Sequence, residues 1–342
     1  MAEYAHLSTV DPELAPLLVN LPPYEKVSAQ TRRERFETVA IAVVKKNAEP
    51  FLPSAEEYKA EDRYIDVGDG IKVLAKCVTP VPKRGEEERF PLLFWIHGGG
   101  RLEGWILGNA DMDDYTMRTI SVNVRVSVVN CEYRLAPENP FPAAVDDTFA
   151  ALKYVCIPLL LPLSFTQLVQ VASHPEEFSA DLKKGFIVAG ASAGGNLSAV
   201  LSHLAREDPF FKDKPITGQH LQVPLVCHPK AYPEKCTWDI AADVYDMIDF
   251  YNPPPEDLRF SPLLLPSHKG LPPAFVQVSG LDPLRDEGIL YEKVLREAGV
   301  PTKLEIYPGT VHGFNAFYPT IGQAAKWRND HEAGLRWLLE QK

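Results

Sequence analysis

From about residue 90 onward, short apolar runs alternate with longer stretches in which apolar residues recur every three or four positions. The runs Pro91–Ile96, Val124–Cys131, Gly185–Ala189, Leu221–Cys227, Ala274–Val278 and Lys303–Tyr307 read as strands. Between and after them, Ala110–Ser121, Pro142–Tyr154, Gly195–Arg206, Leu284–Ala298 and Gln323–Glu340 carry helical periodicity, several with proline or a capping residue at the expected end. A strand–helix alternation of this kind predicts a largely parallel sheet covered on both faces, with its ligand site beyond the carboxyl ends of the strands. Ahead of it, two alternating stretches between Tyr64 and Pro80 flank Gly68-Asp69-Gly70, a turn signal that predicts an antiparallel hairpin. The first sixty residues are polar and proline-punctuated and hold one helix signal, from about Ala29 to Lys46, with Phe36, Val39, Ala40 and Val43 on one face. The expected organisation is a helical cap segment over residues 1–60 and a main α/β domain over 61–342, with residues 230–260 as a possible further part of the cap.

Of the 342 residues, 45% are hydrophobic, enough to bury a large core and to exclude disorder over most of the chain. The formal net charge of −11, with no run of Lys or Arg, argues against nucleic acid and against an anionic membrane surface as partners. Residues 1–11 lack the features of a secretory signal, and no apolar run approaches membrane-spanning length, so no stable membrane insertion and a cytoplasmic address are expected. Five scattered cysteines without C-x-x-C spacing are expected to be reduced, mostly buried thiols, and no metal site is expected.

Three segments carry chemistry. The run Gly185–Ala189 leads into Gly190-Ala191-Ser192-Ala193-Gly194 and then a helix, the context in which a sharp turn presents a serine hydroxyl and aims a helix N-terminus at the reacting oxygen. After strand Pro91–Ile96 comes His97-Gly98-Gly99-Gly100, where backbone N–H groups lack side-chain cover. Gly98 and Gly99, with Ala193, are candidate oxyanion donors, and His97 is expected to be structural. A serine hydroxyl near neutral pH needs a base fixed in one tautomer by an acid. Asp282 and His312 each follow a predicted strand, in the chain order serine, acid, base. Among the other histidines, His6, His174, His220, His268 and His331 are expected at the surface and His203 on the helix behind the serine; His228, at a strand end, is the competitor for the base.

Together these residues resemble the hormone-sensitive-lipase-like branch of α/β-hydrolase carboxylesterases, from about Tyr64 to the C-terminus. The motifs are His97–Gly100, Tyr133–Glu138 with Phe141–Ala144, Gly190–Gly195, Asp282–Glu287 and His312-Gly313-Phe314. The resemblance implies the α/β-hydrolase fold, a mostly parallel central sheet flanked by helices under a helical cap. It implies catalytic Ser192, Asp282 and His312, oxyanion donors Gly98, Gly99 and Ala193, and Arg134 and Glu138 as buried ion-pairing groups. Ala191 stands where many members carry an acid, and the stretch from Gly100 to Gly108 is longer than in the family pattern. The sixteen residues Val155–Gln170 interrupt an otherwise continuous helix-to-loop run. They read either as a retained short intron or as a true surface insertion, placed by topology opposite the site.

The function expected is hydrolysis of short- to medium-chain carboxylic esters through an acyl-serine, with no cofactor and a small-molecule ester as partner; a homodimer is left open. Trp105 and Phe314 are expected to line the substrate pocket. The alternatives are hydrolysis of lactones or acetyl esters of secondary metabolism, or a non-catalytic small-molecule receptor on the same fold, against which the complete set of serine, acid and base argues.

Overall fold

The computed structural model describes residues 4–19, 27–99, 104–156, 175–233 and 242–341. Eight strands form one sheet: β1 (Tyr58–Gly68), β2 (Ile71–Pro80), β3 (Leu92–Ile96), β4 (Ser127–Cys131), β5 (Phe186–Ala191), β6 (Gly218–Gln222), β7 (Ala274–Ser279) and β8 (Thr302–Tyr307). Their order is β1-β2-β4-β3-β5-β6-β7-β8. The β1–β2 hairpin and the β2–β4 pairing are antiparallel, and every pairing from β4 to β8 is parallel. The helices are α1 (Ala15–Leu18), α2 (Ala29–Arg35), α3 (Ile41–Ala48), α4 (Asp114–Ile120), α5 (Ala143–Val155), α6 (Ala193–Glu207), α7 (Ala242–Tyr251), α8 (Arg285–Glu297), α9 (Phe314–Phe317) and α10 (Gly322–Glu340).

Side-chain alternation along each strand assigns the two faces. In β3, Leu92, Phe94 and Ile96 pack with Leu152 of α5 and Leu197 of α6, while Leu93 and Trp95 pack with Met117 and Ile120 of α4 and Leu335 and Leu338 of α10. In β7, Val276 and Val278 meet Ile289 and Leu295 of α8, while Phe275 joins the α10 side. Both faces are therefore dry, as a parallel sheet requires. The expected helix from Ala29 to Lys46 is present as α2 and α3, joined by one π-helical turn at Phe36–Ala40. Strand β1 opens at Tyr58, ahead of the expected boundary at 61.

One strand differs from expectation. The periodicity predicts Leu221–Cys227, but β6 is Gly218–Gln222, which is largely polar. It is buried because its polar groups satisfy one another. The His220 ring and the Gln222 amide both bond Gln277 Oε1, at 2.9 and 3.0 Å, Gln277 donates to the Tyr307 hydroxyl at 2.7 Å, and that hydroxyl donates to Asp330 at 2.9 Å. The expectation of surface histidines fails for the same reason. His220, His268 and His331 are buried, and burial lowers the pKa of all three, that of His220 to about 4, so they are neutral packing groups. His6 is exposed, and His174 lies outside the described residues.

The expected Arg134–Glu138 role also changes. Arg134 pairs with the buried Asp147 at 2.7 Å, whereas Glu138 has a 59% exposed side chain and pairs with Arg33 of α2 at 2.6 Å. Arg33 also donates to Ile106 O at 2.8 Å and to Ala136 O, tying α2 to the loop after β3. Cys77, Cys131, Cys156 and Cys227 are buried and in no disulfide, and Cys236 lies outside the described residues. So does most of the Val155–Gln170 stretch, whose first two residues end α5. Among the described residues no helix is long and apolar enough to cross a membrane.

Candidate active site

Ser192 sits between β5 and α6 with φ 57° and ψ −114°, a left-handed conformation costing about 1–3 kcal/mol for a residue with a side chain. The fold holds it there from both sides. Ser192 N–H donates to Gln222 O at 2.8 Å, and the chain approaches β3 so closely that a β-carbon at Gly194 would lie 2.0 Å from Ile96 O. At Gly98 the corresponding β-carbon would lie 2.6 Å from Ala191 O. Glycine is thus required where the serine turn and the loop after β3 cross. Gly194→Ala should destabilise the protein by about 3 kcal/mol or more, since backbone rather than a movable side chain is in the way. Chemical denaturation reads this, and an unchanged midpoint would contradict the close approach.

Asp282 and His312 follow β7 and β8, whose last residues pair in register as Ser279 with Tyr307. Asp282 is fully buried, and its Oδ2 lies 2.6 Å from His312 Nδ1. Its Oδ1 accepts the Leu284 N–H at 2.9 Å, which fixes the carboxylate plane. The two loops are also joined directly, Leu281 N–H donating to Thr310 O at 2.8 Å. The hydrogen bond to Asp282 directs Nδ1 of His312 toward the acid and leaves Nε2 as the proton acceptor. Among the described residues the Ser192 hydroxyl and His312 share no hydrogen bond, a contact that in such sites commonly tightens only as the reacting complex forms. His228, the competing base, instead caps the turn Pro229–Ala231 by accepting Lys230 N–H at 3.1 Å.

His97 is structural, as expected. Its ring stacks on Tyr133 with centroids 4.4 Å apart, the Tyr133 hydroxyl donates to His97 O at 3.1 Å, and burial lowers its pKa to about 4. That stack steadies the loop carrying Gly98 and Gly99. Among the described residues none accepts a hydrogen bond from the N–H of Gly98, Gly99 or Ala193, the last being the first residue of α6 and so without an intrahelical partner. Gly100 to Glu103 lie outside the described residues. Trp105 and Phe314 have no exposed surface: Trp105 stacks on Tyr251 of α7 at 4.7 Å, and Phe314 packs against Tyr307 and Trp327 beneath the His312 loop.

Sequence reasoning gave no role to two supports. Glu287, five residues after Asp282, is fully buried and accepts Cys227 N–H at 3.1 Å; burial raises its pKa well above the usual range. The buried Arg285 donates to Gly280 O at 2.9 Å and to Ser8 Oγ at 2.8 Å, and Leu7 O accepts Gly309 N–H at 2.8 Å. The N-terminal segment therefore braces both loops. The charged residues in Asp282–Glu287 were the available signal.

The family model described as alpha/beta hydrolase fold matches residues 93–316. The carboxylesterase NlhH of Mycobacterium tuberculosis is 34% identical over 83% of this chain and 84% of its own. Among solved structures, a vibralactone cyclase superposes with a TM-score of 0.85 at 38% identity, covering 98% of this chain and 96% of that one. An esterase of Pyrobaculum calidifontis superposes with a TM-score of 0.77 at 29% identity, covering 96% and 99%.

Proposed function

This chain belongs to the α/β-hydrolase fold family and hydrolyses carboxylic esters, and from that premise we propose that Ser192 is its nucleophile, His312 its general base and Asp282 the group that orients the base. The observation that carries the assignment is the 2.6 Å contact between His312 Nδ1 and a carboxylate already fixed by the Leu284 N–H. His312 Nε2 takes the Ser192 proton as the oxygen adds to the ester carbonyl. The N–H groups of Gly98, Gly99 and Ala193 hold the resulting oxyanion, each donor worth about 3–4 kcal/mol of barrier. Collapse expels the alcohol, which receives the proton from His312. Water, deprotonated by the same ring, then releases the acid and restores the serine.

The preferred substrate is a short- to medium-chain ester, taken up under a cover made by the helical run through α2 and α3 and by α7. The contacts of Arg33 with the loop after β3, and the Trp105–Tyr251 stack, support that placement. Trp105 and Phe314 act from behind the pocket wall, holding the Gly98 loop and the His312 loop. A second reading is favoured by the structural likeness to a vibralactone cyclase: the acyl-serine is captured by a nucleophile within the substrate itself, closing a ring instead of yielding to water.

Labelling with a fluorophosphonate and peptide mapping, beside a p-nitrophenyl ester series of increasing acyl length, tests the assignment. We expect label on Ser192 and turnover that peaks at short to medium acyl chains. Label on another residue, or turnover without label on Ser192, would remove the assignment.

A further inference from the structure

Val223 is a second strained point beside Ser192. A β-branched residue at φ 39° is a backbone outlier, and this one follows Gln222, whose main-chain oxygen accepts the Ser192 N–H at 2.8 Å. Such strain persists only where the surrounding structure over-determines it. Here one residue of β7 holds the corner from two directions. Gln277 is the register partner of Gln222, and its main-chain oxygen accepts the Val223 N–H at 2.8 Å. Its side-chain Oε1 accepts the Gln222 amide at 3.0 Å and the ring N–H of neutral His220 at 2.9 Å.

The same side chain reaches the other half of the site. Gln277 Nε2 donates to the Tyr307 hydroxyl at 2.7 Å, and that hydroxyl is anchored in turn on Asp330 at 2.9 Å. The main-chain oxygen of Tyr307 accepts the Gly280 N–H and the Thr310 hydroxyl, each at 2.8 Å. Gly280 lies on the loop that carries Asp282, and Thr310 on the loop that carries His312. Gln222, Gln277 and Tyr307 are all buried, so these bonds form away from bulk water, where losing one leaves a polar group without a replacement.

We infer that Gln277 is a positioning residue for hydrolysis: through Gln222 on one side and Tyr307 on the other, it sets the spacing between the Ser192 turn and the loops that carry Asp282 and His312. The inference rests on the assignment of those three residues made above. Gln277 acts only through its partners, since among the described residues it has no hydrogen bond to Ser192, Asp282 or His312.

Steady-state kinetics of the full-length protein on a p-nitrophenyl ester, beside the rate and mapped position of fluorophosphonate labelling, test this. Gln277→Met keeps the length of the side chain and removes its hydrogen bonds. It is expected to lower kcat at least about tenfold with KM within about twofold, and to slow labelling of Ser192 by a similar factor, because a shift of about 1 Å between reacting groups costs about a hundredfold. Gln222→Met cuts the link on the serine side alone, and Tyr307→Phe cuts it on the side of the acid and base. Each should lower kcat about tenfold, and the two together no more than the worse of them, because both break one connection. If Gln277→Met does not fold, this pair decides alone. Rates within about twofold of the parent in folded Gln277→Met, or losses in Gln222→Met and Tyr307→Phe that multiply, would overturn the inference while label still maps to Ser192. Label on another residue of the parent would overturn the assignment itself, and the inference with it.

Discussion

Ser192→Ala is expected to lower kcat for a p-nitrophenyl ester by about a millionfold while leaving the melting temperature within a few degrees of the parent. The size follows from the division of labour. Without the hydroxyl no acyl-enzyme forms, and His312 and Asp282 then have nothing to activate but water at an unsuited distance. What survives is the contribution of the Gly98, Gly99 and Ala193 donors and of substrate binding, typically a thousandfold or more above the reaction in water. The fold should tolerate the change because Ser192 is held by main-chain contacts, its N–H on Gln222 O, that an alanine keeps. Alanine at a φ of 57° is no more strained than serine. Pre-steady-state and steady-state rates on the same preparation check the prediction; a loss of tenfold or less would place the nucleophile elsewhere.

Asp282→Asn is expected to cost about ten-thousandfold in kcat with little change in KM. An asparagine fits the same volume, but the side chain already accepts the Leu284 N–H on Oδ1. Its amide would then turn its NH₂ toward His312 Nδ1, making that nitrogen an acceptor and moving the ring proton to Nε2, where the serine needs a base. The variant should therefore fold, bind fluorophosphonate slowly and recover part of its rate at alkaline pH, where serine ionises without help. A variant as fast as the parent would show that the 2.6 Å contact is structural.

Much of this site is legible in the chain because each part has a local cause. A strand running into Gly-x-Ser-x-Gly and then a helix admits few backbone paths, and the glycines announce the close approaches that the sheet later imposes at Gly98 and Gly194. Asp282 and His312 are found by order and by their position after apolar strands, both of them short-range properties. The polar strand Gly218–Gln222 is illegible for the opposite reason: its burial depends on Gln277, Tyr307 and Asp330, which are distant in sequence, so no periodicity marks it. The histidines His220, His268 and His331 follow the same rule, since polarity read one residue at a time assigns them to the surface.

By itself, then, the sequence determined the strand–helix alternation, the hairpin at Gly68–Gly70, the serine turn and the candidates for acid, base and oxyanion donors. All of these are encoded in spacing, turn chemistry and local hydrophobic rhythm. Tertiary structure alone decided that Glu138 faces Arg33 rather than the interior, and that the N-terminal segment braces the Asp282 and His312 loops through Ser8 and Leu7. Each of these depends on which distant groups meet across the fold. Desolvation and pairing act on the assembled neighbourhood, a quantity that no window along the chain contains.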